Sequence, residues 1–390
     1  MKEKILKLND IRSRNLQAVL EILLESEGLS RTEIARRMGC DNTTVSRAVR
    51  ELIARKILMP GEKAGSEHGR PREKLLLDPA GPALAGISLE AERITGVVTD
   101  LRGEIRAREQ IVFPAVPGRG DFLAAVSRVI RAVRAHAGER LAGTGAAVFG
   151  SYGGPDFTLE NAAALPALNG LALRPFLEAE TGGGVAICDH LVAKMAFLTR
   201  NFPEFCSGSV MLISSGSGIG SLISEQGRFL FVRNNHGGEL GHSICVPGGL
   251  PCGCGREGCL ETVASIRALL RVCREKLGEP GLGFDGLCRL FRSCDAVVTE
   301  ETEKAARFLG TAIANQLNSC PVDRLVVTGR MLELGQKFQD MLERVIRELV
   351  FSPVRADLAI HFIRLDFDNS LARGAAIFAG RTPQSGRYEV

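Results

Sequence analysis

Apolar residues near the start of the chain recur at helical spacing. Across residues 15–27 they stand three and four positions apart, which predicts a helix with one buried face that ends at Gly28. Ser30 is followed three positions later by Glu33, the pairing of a helix capping box. The pattern therefore predicts a second, shorter helix over residues 31–39.

A third helix and a hairpin follow the second helix. Gly39 predicts a tight turn, after which Asp41 or Asn42 caps a helix that extends to about residue 56. Two short helices joined by a glycine-containing turn are typical of a helix-turn-helix. Residues 57–78 then alternate a short strand, a polar Gly-rich loop and a second strand, which predicts a β-hairpin wing.

The outward face of the third helix carries small polar residues and arginines. Such side chains suit base edges and phosphates in a DNA major groove, although any three-helix cluster has a polar face and many such clusters bind protein. The turn, the caps and the basic wing together favour DNA. The predicted DNA-binding residues are Arg31, Thr32, Asn42, Thr43, Thr44, Ser46, Arg47, Arg50, His68 and Arg70.

Beyond a predicted linker at residues 79–86, short apolar runs alternate with longer helical patterns. Residues 121–136 and 302–319 have helical periodicity, and the second of these runs into the apolar strand at residues 323–329. This alternation predicts an α/β fold with a mixed or parallel sheet. About 300 residues exceed what one such core holds, so we expect two lobes with a cleft between them.

Charge is distributed unevenly along the chain. The first 78 residues hold 16 Lys/Arg against 12 Asp/Glu, whereas the remaining 312 hold 33 of each. The excess positive charge therefore lies in the predicted DNA-binding module, and the rest of the chain is neutral. The N-terminal residues lack the apolar core of a signal peptide, and no apolar run approaches 18 residues. We therefore expect a cytoplasmic protein that has reduced cysteines and makes no contact with membranes.

Four potential metal ligands stand close together in the middle of the chain. His242, Cys252, Cys254 and Cys259 provide one imidazole and three thiolates, a complete tetrahedral set for structural zinc. Interleaved glycines give the backbone room to fold around an ion. The alternative is three incidental cysteines and a core histidine. If all four residues bind, no coordination position remains for water, so the metal would not be catalytic.

The segment around these ligands, E-x-G-H followed by C-x-C-G-x-x-G-C-L-E, resembles the signature of the ROK family (repressor, open reading frame, kinase). The helix-turn-helix, with GRP at its wing, is similar to the repressor branch of that family. The VVTG before Arg330 and the ARGAA that ends at Ala376 also resemble it. The resemblance covers nearly the whole chain.

The resemblance implies an α/β protein with an N-terminal winged helix-turn-helix and a two-lobed, actin-like (ribonuclease H-like) sugar-kinase fold. The DNA-binding domain would occupy residues 1–78 and the ROK domain residues 87–390. Within the ROK domain, the first lobe would comprise about 87–188 plus the C-terminal segment. The second lobe, with the zinc motif, would comprise about 189–365.

The resemblance also implies roles for individual residues. Asp189 matches the general base of the kinase members, which takes a proton from the attacking sugar hydroxyl. Glu239, His242 and Glu261 match positions that contact sugar hydroxyls. From the residue alone, a turn or helix-cap role for Asp189 is the favoured interpretation.

The chain departs from the kinase pattern at the phosphate loop. Where kinases have D-x-G-x-T, this sequence has Ser88, Glu90 and Glu92, and two carboxylates would repel a phosphate. Cys188 replaces the asparagine before the catalytic aspartate, and Ala164 replaces a sugar-contacting asparagine. We therefore expect that ATP use is lost, sugar recognition is altered and Asp189 is vestigial as a catalyst.

The sequence thus predicts a DNA-binding transcriptional regulator, a repressor in the leading interpretation. It would bind a double-stranded operator as a homodimer or homotetramer and respond to a sugar or sugar derivative. It would carry structural zinc and have no enzymatic activity. Two alternatives stay open: an ATP-dependent ROK sugar kinase with an appended domain, and a constitutive DNA-binding protein whose cleft has decayed.

Overall fold

The computed structural model describes residues 8–26, 28–64, 72–162, 164–230, 237–365 and 369–381. Three helices begin the chain. Ser30 and Glu33 form the predicted capping box, Asp41 caps the third helix, and Gly39 makes the turn between helices with a φ of 63°. The predicted helix-turn-helix is therefore present. Its helices are α1 (Leu8–Glu25), α2 (Arg31–Met38) and α3 (Asn42–Ala54).

The predicted wing is a two-stranded antiparallel sheet of β1 (Leu58–Ala64) and β2 (Arg72–Leu77). His68 and Arg70 lie outside the described residues. Leu58, Leu75 and Leu77 of the wing pack into the core of the three helices. Helices and wing therefore form a single small domain.

The first lobe is built on a five-stranded sheet of order β5-β4-β3-β6-β9. β3, β6 and β9 are parallel, and β4 and β5 add an antiparallel edge. Ala83–Gly86 of the predicted linker belong to β3, in the middle of this sheet. They form part of the strand because their backbone pairs with β4 on one side and with β6 on the other. The strands of this lobe are β3 (Ala83–Leu89), β4 (Arg93–Thr99), β5 (Ile105–Val112), β6 (Leu141–Val148), β7 (Ser151–Gly153), β8 (Thr158–Asn161) and β9 (Val185–Asp189), and its helices are α4 (Arg119–Ala137) and α5 (Leu173–Thr181).

The second lobe has a second five-stranded sheet, of order β12-β11-β10-β13-β14, in which β10, β13 and β14 are parallel. Its helices surround a separate apolar core. Its strands are β10 (Ser209–Ser215), β11 (Ile219–Glu225), β12 (Arg228–Leu230), β13 (Arg324–Thr328) and β14 (Ala359–Phe362). Its helices are α7 (Glu261–Ala264), α8 (Ile266–Leu277), α9 (Phe284–Arg292), α10 (Ala296–Ser319), α11 (Gln336–Leu349) and α12 (Ser352–Arg355).

Two helices, α6 (His190–Asn201) and α13 (Ser370–Arg381), pack between the sheets and share an apolar core with both. Glycines allow this close packing. A Cβ on Gly86 or Gly145 would lie 1.8 or 1.9 Å from backbone oxygens of α13, and one on Gly374 would lie 2.0 Å from the Ala193 carbonyl oxygen of α6. The strands β3 and β6, α13 and α6 therefore stack in backbone contact.

Among the described residues, no helix combines the length and the apolarity needed to cross a membrane.

Candidate functional site

The outward face of α3 carries the predicted DNA-binding side chains. Asn42, Thr43, Arg47 and Arg50 are exposed, while Val45 and Val49 on the opposite face are fully buried. The burial of one face fixes which side chains the helix presents to solvent. The three-helix core therefore presents two arginines and two small polar side chains on a rigid helix.

Some of the predicted DNA contacts already have protein partners. The Arg31 guanidinium forms an ion pair with Glu73 of the wing at 2.9 Å. The Thr44 hydroxyl donates to Asp41, and this bond, with those from backbone N–H groups, holds the pKa of Asp41 below its usual value. Thr32, Thr44 and Ser46 are half-buried. The sequence interpretation did not include Arg36, an exposed arginine of α2 that only the assembled helix pair identifies as solvent-facing.

The four predicted metal ligands converge in space. Their ligand atoms all lie within 4.8 Å of one another. The Nδ1 of His242 is 3.5 Å from the Cys252 Sγ, and the Sγ atoms of Cys254 and Cys259 are 3.6 Å apart. Bond lengths of about 2.0–2.1 Å to nitrogen and about 2.3 Å to sulfur produce ligand separations of this size in a tetrahedral zinc site. The residues therefore form a group that could bind a metal, and its chemistry fits structural zinc.

The backbone of this loop needs its glycines. Gly255 and Gly258 have φ values of 84° and 74°, and a Cβ on Gly258 would lie 1.8 Å from the Val246 carbonyl oxygen. Burial acts to raise the pKa of the Cys254 thiol, but hydrogen bonds with Arg256, Cys252 and Cys259 together outweigh it and lower that pKa to about 6. Since thiolate is the metal-binding form, Arg256 favours the form that a cation needs.

The residues matched to sugar contacts converge on one segment, residues 237–242. Asp189 accepts hydrogen bonds from the backbone N–H groups of Val192 and Gly237. Asp189 is thus the N-cap of α6, the role that the sequence offered as the alternative to a catalytic base. Its bond to Gly237 also connects α6 to the segment of residues 237–242. Two residues further, Glu239 is exposed, and its Oε2 lies 4.0 Å from the Nε2 of His242. His242 therefore turns Nδ1 to the cysteines and Nε2 toward Glu239.

Glu261 approaches the same segment from the other side. Its Oε2 accepts from the Ile219 N–H at 3.3 Å and lies 3.2 Å from where a Cβ of Gly241 would stand. Its Oε1 pairs with Arg267, whose Nε also donates to the Ser217 carbonyl at 2.9 Å. Arg267 thus orients Glu261 and holds the glycine-rich turn between β10 and β11. The sequence interpretation did not single out Arg267, because nothing in its local pattern differs from a surface arginine.

The turn between β3 and β4 stands where a kinase phosphate loop would lie. Glu90 and Arg93 bond to each other's backbone in both directions, at 3.0 and 3.3 Å, so neither N–H points out toward a ligand. Burial raises the pKa of Glu90 to about 6, against the opposing effects of Arg93 and Lys194. Lys194 of α6, which the sequence did not single out, donates to the Ser214 hydroxyl at 2.6 Å. A carboxylate and a lysine therefore face each other where the lobes meet.

A further polar contact connects the lobes at the metal-binding loop. The Asn161 side-chain amide of β8 donates to the Gly253 carbonyl at 3.3 Å. Asn161 belongs to the first lobe, and Gly253 lies between Cys252 and Cys254 in the second. The loop that holds the four ligands belongs to the second lobe and is thus hydrogen-bonded to the first.

Comparison with known proteins agrees with this architecture. Residues 12–58 match the winged helix-turn-helix DNA-binding family, and residues 84–382 match the ROK family. The second match spans more than half of the chain, and the protein therefore belongs to the ROK family. It has the domain composition of a ROK transcriptional regulator, as the sequence predicted.

Among its relatives is NagC of Escherichia coli (strain K12), a DNA-binding transcriptional dual regulator. NagC is 22% identical over 400 residues, which cover 96% of this chain and 94% of NagC. A glucokinase of Halalkalibacterium halodurans is 33% identical, but only over 141 residues, 33% of this chain and 43% of the glucokinase. The regulator therefore matches both domains, whereas the kinase matches part of one.

Solved structures confirm the predicted fold. A ROK family transcriptional regulator, a homologue of the E. coli MLC protein, superposes with a TM-score of 0.79 at 23% identity and covers 94% of this chain and 96% of its own. The ROK hexokinase of Thermus thermophilus superposes with a TM-score of 0.66 at 24% identity, covering 76% of this chain and 98% of the hexokinase. The two-lobed body is thus the fold of a ROK sugar kinase, with a DNA-binding domain added before it.

Proposed function

We propose that this protein is a transcriptional repressor that binds operator DNA through its winged helix-turn-helix and responds to a sugar bound in the cleft of its ROK domain. We further propose that the ROK domain does not phosphorylate that sugar. One observation carries the proposal: a winged helix-turn-helix precedes a kinase fold in which the turn matched to the phosphate loop is closed by its own backbone bonds and carries the half-buried Glu90.

The turn at Glu90 supports the loss of ATP use for two reasons. Phosphate binding relies on backbone N–H groups that point at the ligand, and here the N–H groups of Glu90 and Arg93 bond within the turn. Phosphoryl transfer also relies on positive charge around the γ-phosphate, whereas Glu90 and Glu92 bring carboxylates there. Asp189 is retained, but a base alone does not replace a nucleotide site.

The retained polar residues support sugar binding. Asp189, Glu239, His242 and Glu261 converge on residues 237–242, and carboxylates accept hydrogen bonds from vicinal hydroxyls. Relatives of this chain include an N-acetylglucosamine repressor, so N-acetylated hexosamines are the first candidates for the effector. A thermal-shift screen of sugars, N-acetyl sugars and sugar phosphates tests this proposal, because a ligand that binds the folded state raises the melting temperature. No shift with any of them would favour a decayed cleft.

A homodimer or homotetramer is the proposed assembly. A winged helix-turn-helix dimer reads two half-sites about one helical turn, roughly 34–36 Å, apart. The sugar would change how the two DNA-binding domains of the assembly are placed relative to each other. It would do so by binding one of two arrangements of these domains more tightly than the other. Analytical ultracentrifugation of the protein, with and without operator, measures this assembly.

Arg47→Ala and Arg50→Ala are each expected to weaken operator binding by about 1–3 kcal/mol and to relax sequence preference, since each removes an exposed arginine of α3. The operator is first selected from a random DNA pool with the parent protein. Binding is then measured at several salt concentrations. Arg140→Ala, an exposed arginine of the first lobe, is the matched control and should bind like the parent. Parental affinity in both α3 variants would refute the recognition-helix assignment.

Asp189→Asn is expected to weaken binding of the sugar found in the screen by roughly ten- to a hundredfold, the loss of about 1.5–3 kcal/mol for a charged hydrogen bond. Asparagine keeps an acceptor for the Val192 N–H at the N-cap of α6, but its NH₂ group would face the Gly237 N–H, so the melting temperature of the variant is compared with that of the parent before the sugar affinities are compared. Calorimetry measures the sugar affinity, and a coupled assay measures ATP turnover. We expect no sugar-dependent turnover in either protein. Turnover by the parent that Asp189→Asn abolishes would establish the kinase alternative instead.

A further inference from the structure

Helix α6 begins at the segment of residues 237–242, which contains residues matched to sugar contacts, and ends against the DNA-binding domain. Its N-cap, Asp189, is bonded to Gly237 of the sugar-contact segment. Its 12 residues span about 18 Å at 1.5 Å per residue. Its far end carries Arg200, which reaches the DNA-binding domain. A single helix therefore connects the two proposed functional sites.

Arg200 joins the DNA-binding domain (the head) to the ROK domain (the body) through two carbonyl oxygens. Its Nη1 donates to the Leu24 carbonyl at 3.2 Å, and its Nη2 donates to the Leu101 carbonyl at 3.0 Å. Leu24 lies in the last turn of α1, where carbonyl groups lack partners within the helix and a cation complements the helix dipole. Leu101 lies in the turn between β4 and β5, and its side chain packs against the core of the DNA-binding domain.

The body side of this junction is held firmly. Arg373 of α13 donates to the Gly103 carbonyl at 2.8 Å and to the Asn201 side chain at 3.3 Å, and its guanidinium lies 5.0 Å from the centre of the Phe197 ring. The residues of α6 from Val192 to Thr199 are buried except for Lys194. The helix is thus packed along its length, and a shift at one end moves the other.

The head side leads directly to the recognition helix. Val19 and Leu23 of α1 are buried against Val45 and Val49 of α3. The carbonyl that Arg200 holds is one residue beyond Leu23. A displacement of the end of α1 therefore moves the helix that would read DNA.

We infer that Arg200 is the positioning residue through which α6 transmits occupancy of the cleft to the DNA-binding domain. The inference rests on the proposed function, which assigns sugar binding to the Asp189 end of α6 and DNA binding to the domain at its Arg200 end. A ligand hydroxyl that hydrogen-bonds to Asp189 shifts the first turn of α6. The shift displaces Arg200, whose bond to the Leu24 carbonyl then moves α1. Arg200 belongs neither to the residues matched to sugar contacts nor to α3, so its proposed role is coupling rather than recognition.

The test compares Arg200→Ala and Arg200→Lys with Arg324→Ala, which also loses an arginine-to-carbonyl bond, 2.9 Å to Ser207, but lies away from the head. For each protein, the operator dissociation constant is measured with and without a saturating sugar from the screen. The coupling ratio is the operator dissociation constant with sugar divided by that without sugar. In Arg200→Ala we expect an unchanged sugar affinity and a coupling ratio reduced at least tenfold. Arg200→Lys keeps the positive charge but has one donor nitrogen in place of the two that reach Leu24 and Leu101, so it should restore part of the ratio, and Arg324→Ala should match the parent.

A second measurement needs no ligand. Fluorophores attached through non-canonical residues at the exposed positions Glu21 and Glu139 report the distance between head and body. Arg200→Ala should broaden that distance distribution, whereas Arg324→Ala should not. A parental distribution together with parental coupling in Arg200→Ala would overturn the inference. A parent whose operator binding ignores every sugar would overturn the proposed function, and the distances alone would then decide whether Arg200 positions the head.

Discussion

Cys254→Ser is expected to remove the bound metal and to destabilise the second lobe by more than about 4 kcal/mol, a loss typical of metal sites. The four ligand atoms lie within 4.8 Å of one another, and residues 243–260 between them form no helix or strand longer than an isolated bridge. Turn-type backbone hydrogen bonds, such as that from the Cys252 N–H to the Arg256 carbonyl, hold the backbone of this loop, and the cross-link that a metal would make is the constraint that joins its side chains. Elemental analysis of protein purified without chelator measures the metal, and we expect one zinc per chain in the parent.

Cys294→Ser is the matched control, because Cys294 is exposed and lies outside the cluster. It should retain one zinc and the parental melting temperature. The Asn161 bond to Gly253 gives the metal-binding loop a part in holding the lobes together, so Cys254→Ser should also reduce the effect of the sugar on operator binding. A parent without stoichiometric metal, or a Cys254→Ser protein that retains it, would refute the zinc assignment.

Gly374→Ala is expected to lower stability by about 3 kcal/mol or more, at the upper end of the cost of overpacking. The added Cβ would lie 2.0 Å from the Ala193 carbonyl oxygen and 2.6 Å from its carbon. Both contacts are backbone atoms of α6, which cannot rotate away as a side chain would. Because α13 is also in backbone contact with β3 and β6, it cannot retreat from α6 either. The variant should show a clearly lower melting temperature.

Gly120→Ala is the control for this substitution. Gly120 lies in α4, and nothing stands within 4 Å of where its Cβ would be. Alanine favours helix over glycine by about 0.5–1 kcal/mol, so the melting temperature should stay the same or rise slightly. Equal melting temperatures for Gly374→Ala and the parent would mean that α6 and α13 separate without cost, which would also weaken the case for transmission along α6.

The helix-turn-helix was predictable because its signals are local. The capping box of Ser30 and Glu33, the left-handed Gly39 and the Asp41 cap each act within four residues. The metal-ligand group was predictable for the same reason: three of its four members lie within eight residues. By contrast, the linker was predicted too long, because the run of small residues before Ile87 reads as a flexible joint until two neighbouring strands pair with it.

The sequence by itself determined the order of the domains, the helix-turn-helix, its wing and the group of four potential metal ligands, because short-range backbone geometry and side-chain chemistry suffice for them. Tertiary structure alone decided which distant residues meet. It placed Lys194 beside Ser214, Arg267 on Glu261, Asn161 on Gly253 and Arg200 on Leu24. The separations of these pairs along the chain run from 6 to 176 residues, and their proximity follows from tertiary packing rather than from any periodicity along the chain.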